Sequence, residues 1–153
     1  MSIKEKLSAL GLTLPTAATP VSAYVPAVKS GNLVFTAGQL PVVDGKLIKE
    51  GKVGAEVSAD DAKELAQLCL LNALAAISLV AELDQIERVV RVGGFVNCAT
   101  GFVAIPGVVN GASELLIKIF GDVNGKHART AVGVAELPLN APVEIELIVQ
   151  LKN

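Results

Sequence analysis

Arg129 stands at the head of a run of small and branched residues, 130–136, and fifteen positions later Glu144 enters an alternating run that ends at Leu151. A guanidinium at the mouth of a strand can hold a carboxylate through two parallel hydrogen bonds, which lysine does poorly. The same residue can equally be a solvated strand-end arginine. Glu144 and Glu146 share one face of the alternating run, so by pattern either could be the carboxylate that orients or deprotonates water. That role suits a carboxyl whose pKa is raised by a drier site. Tyr24, the one tyrosine, could close over a small substrate or be a core residue. Gly38 marks either a bulge or a close approach of backbone to ligand. Asn110 can contact a ligand or simply begin a helix, and His127 reads as a surface histidine at a strand entry.

These residues need elements to hold them. From 143 to 151 every odd position is apolar, which is the period of a strand with one face on a core. Together with 130–136 it reads as two strands joined by a short turn between Pro138 and Pro142. If the turn centres on Leu139-Asn140, Glu144 faces about Ala135. Arg129 then lies on the order of 20 Å away at ~3.3 Å per residue. One small ligand could meet both only through a bulge or with help from a neighbouring subunit.

Upstream, residues 24–28 and 33–40 read as strands around a turn at 29–32. Asp44-Gly45 signals another turn, and the remainder to Val57 reads as a long surface loop. Ser58 caps a helix expected to run to about Leu83, with Asp60 and Asp61 in its first turn. Within it Asn72 is expected to be a satisfied core amide. A strand is expected over 86–98, with a bulge or bend at Gly93-Gly94. A second helix starts at Pro106 and stops at Gly121, its apolar face formed by Val108, Ala112, Leu115, Leu116 and Ile119. A short helix over 2–10 and a connector reaching residue 20 precede all of this. The order implies one α+β domain spanning 1–153: a sheet with two helices packed on one face.

The 153 residues can bury a sizeable core, built from Ala, Val, Leu and Ile because aromatics make up only 3%. Hydrophobic content of 52% on so small a domain implies subunit interfaces. A net charge of −2 with scattered basic residues gives no basic face for nucleic acid. No membrane span or secretory leader is visible, so a cytoplasmic protein is expected. Cys69 and Cys98 have no metal-site spacing and only one histidine could join them, so both are expected to be packing cysteines and no metal is expected.

Arg129, the valines after it, Ala135-Glu136-Leu137-Pro138 and Val143-Glu144-Ile145-Glu146 resemble the C-terminal signature of the Rid (YjgF/L-PSP) family. A second match is residues 31–41, Gly-Asn-Leu-Val-Phe-Thr-Ala-Gly-Gln-Leu-Pro, with Tyr24 before it. The resemblance implies a chorismate-mutase-like fold and a homotrimer with clefts between subunits. It implies a cofactor-free deaminase that hydrolyses 2-imino acids or their enamines, such as 2-aminoacrylate, to 2-keto acids and ammonia. Arg129 would hold the substrate carboxylate, Glu144 would position or activate water, and Tyr24, Gly38 and Asn110 would line the site. Ala131 departs from the family, where many members carry cysteine. A trimer that binds a 2-keto acid-like molecule without turnover is the second expectation. An endoribonuclease is the third, disfavoured by a pI near 5.4.

Overall fold

The computed structural model describes residues 1–18 and 23–153; the end of the expected connector lies outside them. The elements are α1 (Ile3–Ala9), β1 (Ala27–Ser30), β2 (Leu33–Thr36), β3 (Val42–Val43), β4 (Lys46–Leu47), α2 (Ala59–Ile77), β5 (Ile86–Asn97), α3 (Ile105–Asn124), β6 (Ala128–Val134) and β7 (Val143–Leu151). Five strands form one mixed sheet in the order β1-β2-β7-β5-β6, and β3 and β4 form a separate small hairpin. Strands β5 and β6 run parallel, and the other pairings of the large sheet are antiparallel.

β7 lies in the middle of this sheet because its two faces satisfy different neighbours. Val143, Ile145, Leu147, Val149 and Leu151 are at most 3% exposed. They meet α2, and each buried side chain of this size contributes about 1.5–3 kcal/mol. α2 is fixed at its start by Ser58, whose hydroxyl accepts the Asp61 N–H. It lies against α3 where Gly111 leaves room for the Lys63 carbonyl. Asn72 is satisfied as expected, donating to the carbonyls of Leu40 (2.9 Å) and Val42 (3.0 Å). α1 is a third helix, capped by a Ser2/Glu5 box and tied to α3 by Lys6, which donates to the Ile119 carbonyl at 2.8 Å.

Several expectations are corrected. The two C-terminal strands are not a hairpin: β5 lies between β6 and β7, and the connection between them crosses the end of β5. Buried Asn97 holds that crossing, donating to Asn140 Oδ1 (3.1 Å) and accepting from Lys52 Nζ (2.7 Å), which also reaches the Ala135 carbonyl (2.6 Å). The supposed surface loop before Val57 therefore belongs partly to the core, with Val53 and Val57 fully buried. α2 stops at Ile77, short of Leu83, because Ser78 turns its hydroxyl back onto the Ala75 carbonyl and the chain enters a tight turn. The apolar Leu79 and Val80 beyond it are exposed. The bulges of β5 lie near Glu87 and Val90, not at Gly93-Gly94, which are in regular register. Those two glycines instead admit side chains: a Cβ on Gly93 would strike Glu146, and one on Gly94 would strike Val109 of α3. α3 breaks where the sequence expects its stop, since Gly121 leaves helical geometry at φ 82°, but a further short turn carries the element on to Asn124.

Candidate functional site

Pairing with β5 decides which way β6 side chains point. Val92, Gly94 and Val96 stand opposite Arg129, Ala131 and Gly133. Val92 and Val96 are fully buried under the helices, so Arg129, Ala131 and Gly133 share the helix-covered face. Because β6 is the sheet edge, Arg129 reaches out beside α3. Its Nη1 donates to Asn110 Oδ1 at 2.7 Å and to Ser113 Oγ at 3.2 Å. Asn110 and Ser113 are three residues apart on α3 and so lie on one side of the helix. Ser113 Oγ is also 2.9 Å from His127 Nε2, and His127 Nδ1 is 2.7 Å from the Gly125 carbonyl.

Atom types fix the direction of this chain. A carbonyl only accepts, so Nδ1 carries the proton. Burial holds the His127 pKa below its ordinary value; the Gly125 bond opposes this and the Arg129 charge adds to it. The neutral ring then accepts the Ser113 hydroxyl proton at Nε2, and Ser113 Oγ accepts from Arg129.

Glu144 points to the opposite, open face of the sheet with Glu146, Ile148 and Gln150, all half-buried. Beside it the second strand is interrupted. After the β2–β7 ladder, Gln39 exchanges both backbone bonds with Ile145 (2.8 and 3.0 Å), one residue out of step with the β2 register. The Thr36 hydroxyl fills the gap, accepting the Leu147 N–H at 2.9 Å. Gly38 occupies this bulge, and the Glu144 side chain folds over it so closely that a Cβ there would overlap the carboxylate. Bulge and close approach are thus both present, and the approaching group is Glu144 itself. Burial, then the neighbouring Glu146 charge, raises the Glu144 pKa. Glu146 shares the face but leans over Gly93, away from the bulge. Tyr24 is 56% exposed and stands two residues before Pro26, whose carbonyl accepts the Ala37 N–H at 2.8 Å. It therefore lies at the Gly38–Glu144 end of the sheet.

The sequence candidates sort into two groups: Tyr24, Gly38 and Glu144 at one place, Arg129 and Asn110 at another. The separation deduced from a hairpin is replaced by a sheet measurement. Arg129 is level with Leu147, two strands from β7 and three residues along from Glu144. This puts the two Cα atoms about 14 Å apart, with side chains leaving opposite faces. Register is continuous on both sides of β5 from Arg91 to Val96, so no bulge turns Arg129 toward Glu144. The cysteines pack: Cys69 is buried and donates to the Val143 carbonyl at 3.6 Å, and Cys98 lies against Gly133. Among the described residues no three His, Cys, Asp or Glu side chains gather as metal ligands, and no helix is long and apolar enough to cross a membrane.

A sequence profile described as YjgF/chorismate-mutase-like, with endoribonuclease as a conjectured activity, matches residues 4–151. The chain belongs to this YjgF family. Protein TCP17 of Trypanosoma cruzi is 38% identical over 152 residues, covering 99% of this chain and 95% of that protein. A 2-iminobutanoate/2-iminopropanoate deaminase of Dermatophagoides farinae is 32% identical over 141 residues, covering 92% of this chain and 95% of the relative. The crystal structure of Atu1372, a protein of unknown function from Agrobacterium tumefaciens, superposes with a TM-score of 0.89 at 42% identity. That match covers 99% of this chain and 94% of the other. The YjgF fold is therefore shared from end to end. Sequence reading alone gives Ser113 no role and leaves His127 at a surface strand entry. The signal that could have singled out Ser113 is its spacing from Asn110, which puts both on the turn of α3 facing Arg129.

Proposed function

We propose that this YjgF-family chain is one subunit of a homotrimeric, cofactor-free deaminase of small 2-imino acids and their enamine tautomers. The observation that carries the reading is the division of the site into two chemically complementary halves that one chain cannot unite. One half presents a fixed guanidinium for a carboxylate. The other presents a carboxylate of raised pKa over a glycine bulge, to which no N–H or O–H of the described residues donates. The open sheet face that carries Glu144 also exposes Val28, Phe35 and Val132, apolar area that a second copy would cover. Packing that face against the Arg129 edge of the next subunit brings the halves together.

In such a cleft Arg129 holds the substrate carboxylate and thereby fixes the imine carbon. That carbon is already electrophilic, so the reaction needs only an oriented water and a proton carrier. Glu144 takes a proton from the water as its oxygen bonds to the imine carbon and passes that proton to the imine nitrogen, giving a carbinolamine. It then takes the hydroxyl proton of this intermediate and delivers it to the nitrogen as the C–N bond breaks and the C=O bond forms, leaving the 2-keto acid, ammonia and an ionised Glu144. A carboxyl with a raised pKa serves both directions better than an ordinary one. Support for this substrate class comes from the dust-mite relative named as a 2-iminobutanoate/2-iminopropanoate deaminase.

The test couples the protein to a pyridoxal-phosphate enzyme that releases iminobutyrate or iminopyruvate and follows keto-acid formation. A rate above the buffer reaction, lost in Arg129→Ala and Glu144→Gln, supports the reading; no gain from an intact oligomer overturns it. Ala131, on the Arg129 face at a position where the family resemblance implies cysteine, favours a second reading in which the cleft binds a 2-keto acid without turnover. That reading predicts thermal stabilisation by 2-oxobutanoate, abolished by Arg129→Ala, with no imine hydrolysis.

A further inference from the structure

We propose that Ser113 and His127 are positioning residues that decide which edge of the Arg129 guanidinium meets the substrate. The proposal rests on Arg129 gripping a carboxylate, as above, but not on turnover. A guanidinium has five N–H donors: two on each terminal nitrogen and one on Nε. Arg129 Nη1 commits one N–H to Asn110 and the other to Ser113. The end-on edge that pairs Nη1 with Nη2 is thereby compromised, and the side between Nη1 and Nε carries the Cδ carbon. The only pair left to form two parallel bonds to a carboxylate is Nε with one N–H of Nη2. The substrate is thus received side-on, in a plane set by α3.

Ser113 can accept from Arg129 reliably only if its own proton is drawn elsewhere. His127 Nε2, 2.9 Å away, takes that proton, and the Gly125 carbonyl holds the ring with Nε2 unprotonated. A hydroxyl left to rotate could instead aim its hydrogen at the guanidinium and repel it. The 2.9 Å Ser113–His127 contact also resembles a nucleophile and its base, but a Ser113 oxygen that accepts from a guanidinium is a poor nucleophile. The arrangement serves orientation.

The chain contains one histidine, so its ring nitrogens can be read without assignment ambiguity. The first experiment is nitrogen-15 NMR of the wild-type protein above pH 7. A protonated Nδ1 and a bare, hydrogen-bonded Nε2 are expected; the opposite tautomer overturns the proposal and needs no variant that could misfold. The second is calorimetric binding of 2-oxobutanoate. Ser113→Ala and His127→Leu should each weaken binding roughly tenfold, the loss typical of a hydrogen bond to a charged group. Ser113→Thr, which keeps the hydroxyl, and His127→Gln, which keeps an acceptor, should recover most of it. If Arg129→Ala abolishes binding while Ser113→Ala leaves it unchanged, the positioning role falls and the carboxylate grip stands. If the wild type binds no 2-oxobutanoate, the grip itself falls, and the positioning role with it.

Discussion

Opposite-face placement of Arg129 and Glu144 makes a quantitative prediction for mixed oligomers. Arg129→Ala removes the guanidinium, and Glu144→Gln keeps the side-chain shape over Gly38 while removing the base; each variant alone should be inactive. When the two are unfolded together or allowed to exchange subunits in equal amounts, each cleft draws its Arg129 half from one chain and its Glu144 half from the next. In a closed ring assembled at random, each half is intact in half of the draws, so about one quarter of the clefts regain both residues. The mixture should therefore show about one quarter of wild-type deamination over all oligomers, or for a trimer about one third per mixed oligomer, measured as keto-acid release with the mixed species counted by native mass spectrometry. Were both residues supplied by one chain, every chain would carry a lesion and no cleft could recover. Verified mixed oligomers as inactive as their parents would refute the two-chain site.

The glycines of β5 and α3 should respond in opposite ways. Gly94→Ala drives a methyl into buried Val109 and should cost about 2–3 kcal/mol, whereas Gly107→Ala, with open space around it in the first turn of α3, should be neutral or stabilise by about 0.5 kcal/mol; chemical denaturation reads both. Glu144 has a folded pKa above its unfolded value, so its contribution is fully present in acid and is lost as pH rises through the folded value. Glu144→Gln should consequently match the wild type at low pH and exceed its stability at neutral pH, by on the order of half a kcal/mol given its partial exposure. His127 behaves oppositely: with its folded pKa lowered, stability is present above the ordinary histidine value and falls as pH drops toward the folded one. Thermal melts of His127→Gln should lack that part of the acid-side decline.

Where the sequence was informative, the information was local. Alternation in β7, the Ser58 cap, Pro106 near the start of α3 and the break in α3 at Gly121 are each set by neighbours within a turn or two, and all appear in the structure. What failed was pairing. Eight residues between two strands favour a hairpin, and nothing in residues 128–151 reveals that β5 inserts between them. Gly93 and Gly94 failed similarly: a glycine reports that space is needed but not whose side chain needs it, and Glu146 and Val109 lie far away in sequence. For the site, motif spacing pointed to Arg129, Glu144, Gly38 and Asn110. Which sheet face each one occupies follows only from the strand order. Ser113 and His127 stayed hidden because a serine and a histidine fourteen residues apart form a contact only once α3 packs beside β6.

The position of β7 also bears on how the chain is made. The middle strand of the sheet is the last of its five strands in chain order, and without it β1–β2 and β5–β6 are two separate pairs with exposed edges. Nascent chains ending before residue 143 cannot close the core, so folding of this sheet waits on residues 143–151. The end of β7 and the residue after it are tied in as well, with the Leu151 and Lys152 N–H groups donating to the Asn32 (2.7 Å) and Gln85 (2.8 Å) carbonyls. Premature termination before residue 143 would therefore yield no partly useful sheet, only a substrate for proteases.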